Sequence, residues 1–276
     1  MIARSADGGS LTYRIHGEGP LTLLFVHGWA GSGSYWDELL PQLDLTGLRV
    51  VTYDLRGHGD SDKDATFTFE AIAEDMLTVA DAAGARRLLI VGFSMGAKFA
   101  LYTTCAHPDR VLGQILVAGC PACEIPFPDA VRRDWSSRAG DAARLKEVTA
   151  AFITKPVDAA ILDRWAVAAA RIPERVLGES LRICTDISFI DQIRSIRVAT
   201  LIVGGVHDTI FSPDVLRGVQ ASIQGARLAL VDSNHEIPIE APRELAGLIM
   251  AFVAGLGDAA DGPEAKADVS NRSRVT

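Results

Sequence analysis

The stretch Leu88-Leu89-Ile90-Val91-Gly92-Phe93-Ser94-Met95-Gly96-Ala97-Lys98-Phe99-Ala100 decides how this chain reads. Four apolar residues, 88 to 91, form a strand-sized run, and a helical pattern starts at Gly96 and continues to Ala106. Between them stands G-x-S-x-G, in the strand–turn–helix setting that gives the pattern its meaning. So tight a turn forces Ser94 into a strained backbone conformation, and a side chain at 92 or 96 would collide with its neighbours. The serine is thereby lifted to the tip of the turn, above the first amides of the following helix. A serine hydroxyl is a poor nucleophile at neutral pH; it needs a base, and the base needs an orienting acid.

Working outward, other apolar runs repeat the theme. Leu11 to Ile15 alternates like a half-solvated strand, and Leu21 to Val26 is continuous, like a strand buried on both faces. Val50 to Tyr53, Ile115 to Val117, Leu201 to Val203 and Arg227 to Val231 read as further strands. Helical patterns lie between them at Tyr35 to Leu43, Phe69 to Ala83, Pro213 to Ile223 and Arg243 to Ala254. Buried strands alternating with helices predict an α/β fold with a mostly parallel sheet covered on both faces. Ligands then bind beyond the carboxyl ends of the strands. Residues 120–195 break the alternation: they carry helical patterns at Val131 to Ser137, Ala143 to Phe152, Ala159 to Ala170 and Glu174 to Cys184, and no strand. We read them as a helical cap over the ligand edge, inserted into a core of residues 1–119 and 196–256. Residues 257–276 lack apolar periodicity and are expected to be disordered.

The strand ends supply the partners for Ser94. His235 follows the last strand in Asp232-Ser233-Asn234-His235-Glu236, ahead of the final helix, and is the candidate base. His107, in Ala106-His107-Pro108, stands at a helix end, His16 at a turn, and His207 beside the candidate acid in a loop. That acid belongs between nucleophile and base in chain order, at a strand's carboxyl end. Asp208 meets this, after Leu201 to Val203, whereas Asp186 and Asp191 lie in the insertion.

On these residues the chain resembles the α/β-hydrolase superfamily over about residues 10 to 256. His27-Gly28-Trp29 matches the oxyanion loop, and Asp54-Leu55-Arg56-Gly57-His58-Gly59-Asp60-Ser61 the D-x-R-G-x-G-x-S turn. Ser94 matches the nucleophile elbow, Asp208 and His235 the triad acid and base, and Glu240-Ala241-Pro242 the E-x-P after the histidine. The resemblance implies an eight-stranded sheet with the cap after the sixth strand. It also implies an oxyanion hole made by the backbone amides of Trp29 and Met95. Asn234 departs from the glycine common before the histidine, and Ala199 from a common proline. Asp54, Arg56, Gly57, Gly59 and Ser61 read as structural, the glycines for a tight turn and the charges to pin loops.

The expected activity is a cofactor-free serine hydrolase acting on a carboxylic ester, lactone or thioester with an apolar part. Trp29, Phe93, Trp135 and Trp165 are candidates to line its substrate; the insertion's aromatics Phe127, Trp135, Phe152, Trp165 and Phe189 read most simply as its own core, with some of them expected to face an apolar pocket as well. Epoxide hydrolysis and dehalogenation are disfavoured, since relatives doing that chemistry place aspartate where Ser94 stands. Carbon–carbon bond hydrolysis, haloperoxidase or dioxygenase chemistry, and a non-enzymatic small-molecule receptor remain open alternatives. The chain has 27 Lys+Arg against 35 Asp+Glu, a net charge of −8, which argues against nucleic acid or an anionic membrane as main partner. The four cysteines are too few for a disulfide scaffold at 276 residues. Cys120-Pro121-Ala122-Cys123 lacks the second pair of a zinc set, so no metal is expected. No apolar run approaches the ~20 residues of a membrane span, and a cytoplasmic location is the expectation.

Overall fold

The computed structural model describes residues 1–64 and 66–260. Eight strands form one sheet: β1 (Ile2–Arg4), β2 (Ser10–His16), β3 (Leu21–Val26), β4 (Leu48–Tyr53), β5 (Leu88–Phe93), β6 (Val111–Val117), β7 (Ala199–Gly205) and β8 (Arg227–Val231). Their spatial order is β1-β2-β4-β3-β5-β6-β7-β8. The pairings β1–β2 and β2–β4 are antiparallel; from β4 onward all neighbours run parallel. Every residue of β5 is buried, and Leu23, Leu24, Phe25 and Val26 of β3 have no exposed surface. That is why these runs are continuous rather than alternating: each face of the central strands is covered by helices.

The helices are α1 (Phe69–Ala82), α2 (Met95–Ala106), α3 (Asp129–Ser136), α4 (Ala142–Ala150), α5 (Ala159–Ala170), α6 (Glu174–Asp186), α7 (Pro213–Ser222), α8 (Ile237–Glu240) and α9 (Pro242–Ala260). Their starts are set by local chemistry. Thr68, Asp141 and Asp158 accept hydrogen bonds from Ala71, Arg144 and Ala160 amides, capping α1, α4 and α5. Among the described residues, no helix is long and apolar enough to cross a membrane.

Two expectations need correction, and one strand lay outside the runs read from the sequence. The segment from Tyr35 to Leu43 is not one helix but two single 3-10 turns, Gly33–Trp36 and Leu40–Gln42. Pro41 has no amide to donate and restricts the residue before it, so a continuous helix cannot form across it. An edge strand of only three residues, β1, was too short to show alternation. The last helix runs through Ala260, so the backbone of residues 257–260 is helical rather than part of a tail; residues 261–276 of the expected disordered segment lie outside the described residues.

Helices α3 to α6 fill the interval between β6 and β7, with α3 packed on α6 and α4 on α5. The two ends of this insertion are tied together and to the core. Phe189 N donates to Ala122 O at 2.9 Å and Ile125 N to Thr185 O at 2.8 Å. Beneath them Lys98 of α2 is fully buried, its ammonium donating to the carbonyls of Cys123 (2.9 Å), Cys184 (2.6 Å) and Ile187 (2.8 Å). One cation thus satisfies three main-chain acceptors at the hinge. Lys98→Met keeps the volume and strands all three, each worth about 1–3 kcal/mol when left unpaired. We expect a loss of about 3 kcal/mol or more in urea unfolding; wild-type stability would show that the hinge does not depend on this ammonium.

Candidate active site

The loop at 92–96 is as tight as its sequence demands. A Cβ on Gly92 would lie 2.5 Å from Gly96 O, and one on Gly96 would lie 2.3 Å from Val26 O. Ser94 between them has φ 51° and ψ −115°, a conformation that side chains rarely adopt. It is held by main-chain bonds: Ser94 N donates to Val117 O at 2.9 Å, and Ser94 O accepts from Ala97 N and Cys120 N, each at 3.0 Å.

Ser94, His235 and Asp208 come together although β5, β7 and β8 present them from separate parts of the chain. His235 Nε2 lies 3.0 Å from Ser94 Oγ, and His235 Nδ1 lies 2.9 Å from Asp208 Oδ2. The other oxygen, Oδ1, accepts from the amides of Ile210 and Phe211, each at 2.8 Å. Asp208 is an acceptor in all three bonds, so Nδ1 of His235 carries the hydrogen and Nε2 offers its lone pair to Ser94. The rings of Phe93, Phe152 and Phe211 surround the imidazole at centroid distances of 5.3, 6.3 and 5.6 Å.

The other histidines are held differently. Leu55 N donates to His27 Nε2 at 3.1 Å, so the hydrogen sits on Nδ1, which donates to Gly28 O at 2.8 Å. Burial depresses the His27 pKa to about 4 and that of His58 to about 3, so both stay neutral. His107 pairs with Glu74 at 3.3 Å and His207 with Asp232 at 3.0 Å. Asp186 is engaged by Arg132 at 2.6 Å and Asp191 faces Arg194 at 3.8 Å, so neither reaches the imidazole.

Each element of the D-x-R-G-x-G-x-S turn pins a loop. Asp54 accepts from Gly33 N at 2.6 Å and Asp60 N at 2.7 Å, and a Cβ on Gly59 (φ +49°) would lie 2.2 Å from its carboxylate. Ser61 donates to Asp54 O at 2.6 Å. Arg56 grips Asp75 through two bonds of 2.6 and 2.8 Å. Asn234, where a glycine is common, accepts from His235 N at 2.9 Å.

A cavity of about 360 Å³ opens above Ser94. The candidate substrate residues Trp29, Phe93, Trp135 and Trp165 all line it, as do Met95 and His235. Phe127 and Phe152 join them, whereas Phe189 packs on Phe69 and Tyr102 in the core. Cys120 and Cys184 line the cavity, and Cys120 Sγ donates to Cys184 O at 3.8 Å, so Cys120 meets a residue distant in sequence. The sequence reading missed Tyr35 and Glu236 in this wall, along with the hydroxyl residues Thr149, Ser180 and Thr185. An acid directly after the candidate base was the available sign for Glu236; Tyr35, in the misread segment, had none.

The family model for the alpha/beta hydrolase fold matches residues 22–163, more than half the chain. The chain belongs to the alpha/beta hydrolase family. It is 26% identical over 266 residues to 3-oxoadipate enol-lactonase 1 of Acinetobacter baylyi, covering 93% of this chain and 97% of that one. It is 29% identical over 139 residues to the chloroplast protein PHYLLO of Arabidopsis thaliana, spanning 46% of this alpha/beta hydrolase but only 8% of PHYLLO. The solved esterase EaEST of Exiguobacterium antarcticum superposes with a TM-score of 0.83 at 21% identity, over 92% of this chain and 99% of that one, a likeness of fold.

The buried neutral histidines carry a pH signature. Each binds a proton more weakly folded than unfolded, so stability is present above about pH 6.5 and falls as pH drops toward 4. Between pH 7 and 5 the two should cost about 4 kcal/mol, from about 1.4 kcal/mol per pH unit each. Urea unfolding at the two pH values, with imidazole NMR of His27 showing one neutral tautomer throughout, checks this; an imidazole of His27 titrating near 6.5 would refute it.

Proposed function

We propose that this alpha/beta hydrolase is a serine hydrolase that cleaves a carboxylic ester, lactone or thioester through an acyl-enzyme on Ser94. The observation that carries the reading is the unbroken relay Asp208–His235–Ser94, with bonds of 2.9 and 3.0 Å, opening into a largely apolar cavity. The enol-lactonase and esterase likenesses agree with it.

In this mechanism Ser94 Oγ attacks the substrate carbonyl while its proton passes to His235 Nε2. Asp208, fixed by two backbone amides, orients the ring and stabilises the imidazolium. The tetrahedral intermediate collapses, His235 Nε2 returns the proton to the departing oxygen or sulfur, and the acyl group stays on Ser94. Water then attacks the acyl carbon, giving its proton to His235, and Ser94 leaves with that proton as the acid is released.

The oxyanion would lie between the amides of Met95 and Trp29. Neither donates to any described residue, and Met95 opens α2, where the first amides have no helical acceptor. Gly28 lets the Trp29 loop approach: a Cβ there would lie 2.9 Å from Phe93 and 3.2 Å from Ser94 Cβ. The direction of the Trp29 N–H is set from behind. Gly28 O and Trp29 N–H belong to one planar trans peptide and point opposite ways. His27 Nδ1–H and Gly31 N both hold Gly28 O, at 2.8 and 3.2 Å. His27 therefore acts as a positioning residue for the donor, through a neutral ring. The helices over the cavity act as a cap that excludes water and shapes the substrate.

With 4-nitrophenyl butyrate, Ser94→Ala should reduce turnover to the buffer rate with an almost unchanged thermal midpoint, and a fluorophosphonate should label Ser94 alone. Asp208→Asn should lower kcat about 10⁴-fold, and His27→Ala about 10²-fold with KM little altered. Full activity in Ser94→Ala would end the proposal.

A further inference from the structure

Around the apolar cavity one charge-bearing group stands apart from the relay. Glu236 follows His235 directly, is 7% exposed and lines the cavity wall. Its Oε2 accepts the hydroxyl of Tyr35, whose ring stacks on Phe93 at 4.8 Å and is itself buried. Its Oε1 accepts from none of the described residues, yet it is not among the side-chain atoms sealed from solvent without a partner. Glu236 is thus a buried carboxylate of the cavity wall with one oxygen that no described residue pairs and that keeps some solvent access. Among the described lining residues there is no lysine or arginine, and Glu236 is the one carboxylate.

A buried acceptor left without a donor is costly, so a ligand that supplies one is favoured over one that does not. A second carboxylate in the same apolar space is repelled with little screening. Resting on the hydrolase reading, we propose that Glu236 is a specificity-determining residue: its Oε1 receives an O–H or N–H group of the substrate, and the site selects neutral donor-bearing esters against esters carrying a free carboxylate. Tyr35 holds the carboxylate in place by occupying Oε2. A lactone derived from a dicarboxylic acid keeps one free carboxylate, so the inference separates this chain's substrate from compounds of that kind.

Two isosteric ester series test it by pH-stat. One varies the alcohol side as pentyl, 4-hydroxybutyl and 3-carboxypropyl butyrate. The other varies the acyl side as ethyl heptanoate, ethyl 6-hydroxyhexanoate and monoethyl adipate. In at least one series the wild type should prefer the hydroxyl ester over the alkyl ester about 10-fold in kcat/KM, and disfavour the carboxylate ester about 100-fold. Glu236→Leu should bring the hydroxyl-to-alkyl ratio near 1, and Glu236→Gln should lift most of the carboxylate penalty. Tyr35→Phe keeps the charge but frees the carboxylate to turn, so it should keep the carboxylate penalty and weaken the hydroxyl preference. Tryptophan fluorescence titration of Ser94→Ala, with and without Glu236→Gln, reads the same discrimination as binding. Ratios unmoved by the Glu236 variants in both series and in binding would overturn the inference. Absence of turnover with every ester would instead count against the hydrolase reading, and the binding ratios would still decide this one.

Discussion

The backbone of one residue is held where it does not relax. Ser94 sits at φ 51°, a placement that costs roughly 1–3 kcal/mol and persists only if its surroundings over-determine it. They do: β6 supplies the acceptor for its amide, and α2 and the segment after β6 supply donors for its carbonyl. Gly92, Gly96 and Gly28 remove the three Cβ atoms that would keep these chains apart. The hydroxyl is therefore positioned by the sheet as a whole. The hydrogen bonds from Asp208 through His235 to Ser94 rest on this fixed stretch of backbone.

A second carboxylate does for the histidine what the sheet does for the serine. Glu240 Oε2 accepts from Ser233 Oγ and Asn234 N, both at 2.7 Å, immediately before His235. Its Oε1 accepts from Thr154 N at 2.5 Å and Lys155 N at 2.7 Å, in the linker between α4 and α5. Burial alone would raise its pKa, but these bonds favour the ionised form and hold it below its ordinary value. One side chain thus fixes the loop of His235 and the linker that carries Phe152 onto the imidazole. The insertion cannot shift there without disturbing the residue it covers.

The sequence revealed most of this because the decisive features are local. G-x-S-x-G, the strand ends at Asp208 and His235, and E-x-P at Glu240 each declare themselves within a few residues. The mostly parallel sheet followed from continuous apolar runs, and its count of eight strands from family resemblance. What stayed hidden depends on contacts between distant segments. The Lys98 ammonium looks like any helix lysine until three hinge carbonyls converge on it. His235 was legible from its place after the last strand and His27 as part of the resembled loop; the amide and carbonyl that hold His27, and the carboxylate and hydroxyl beside His235, show only in the structure. Environment, not residue type, assigns the role.

The cavity divides its labour between the two parts of the chain. Ser94, His235, Glu236, Tyr35 and the amides of Trp29 and Met95 belong to the core. Phe127, Trp135, Phe152 and Trp165 come from the insertion and add apolar surface. The polar groups are then a property of the sheet and its loops, where Ser94, Asp208 and His235 are each held by several hydrogen bonds or ring contacts. Shape is a property of aromatic packing, Trp29 on Trp135 at 5.3 Å and Trp135 on Phe152 at 6.0 Å. Such packing accepts substitutions of similar volume at modest cost. A fold arranged this way can change its cavity lining without moving its polar groups, which is why the candidate site was readable from motifs while the lining had to be sought in the cavity wall.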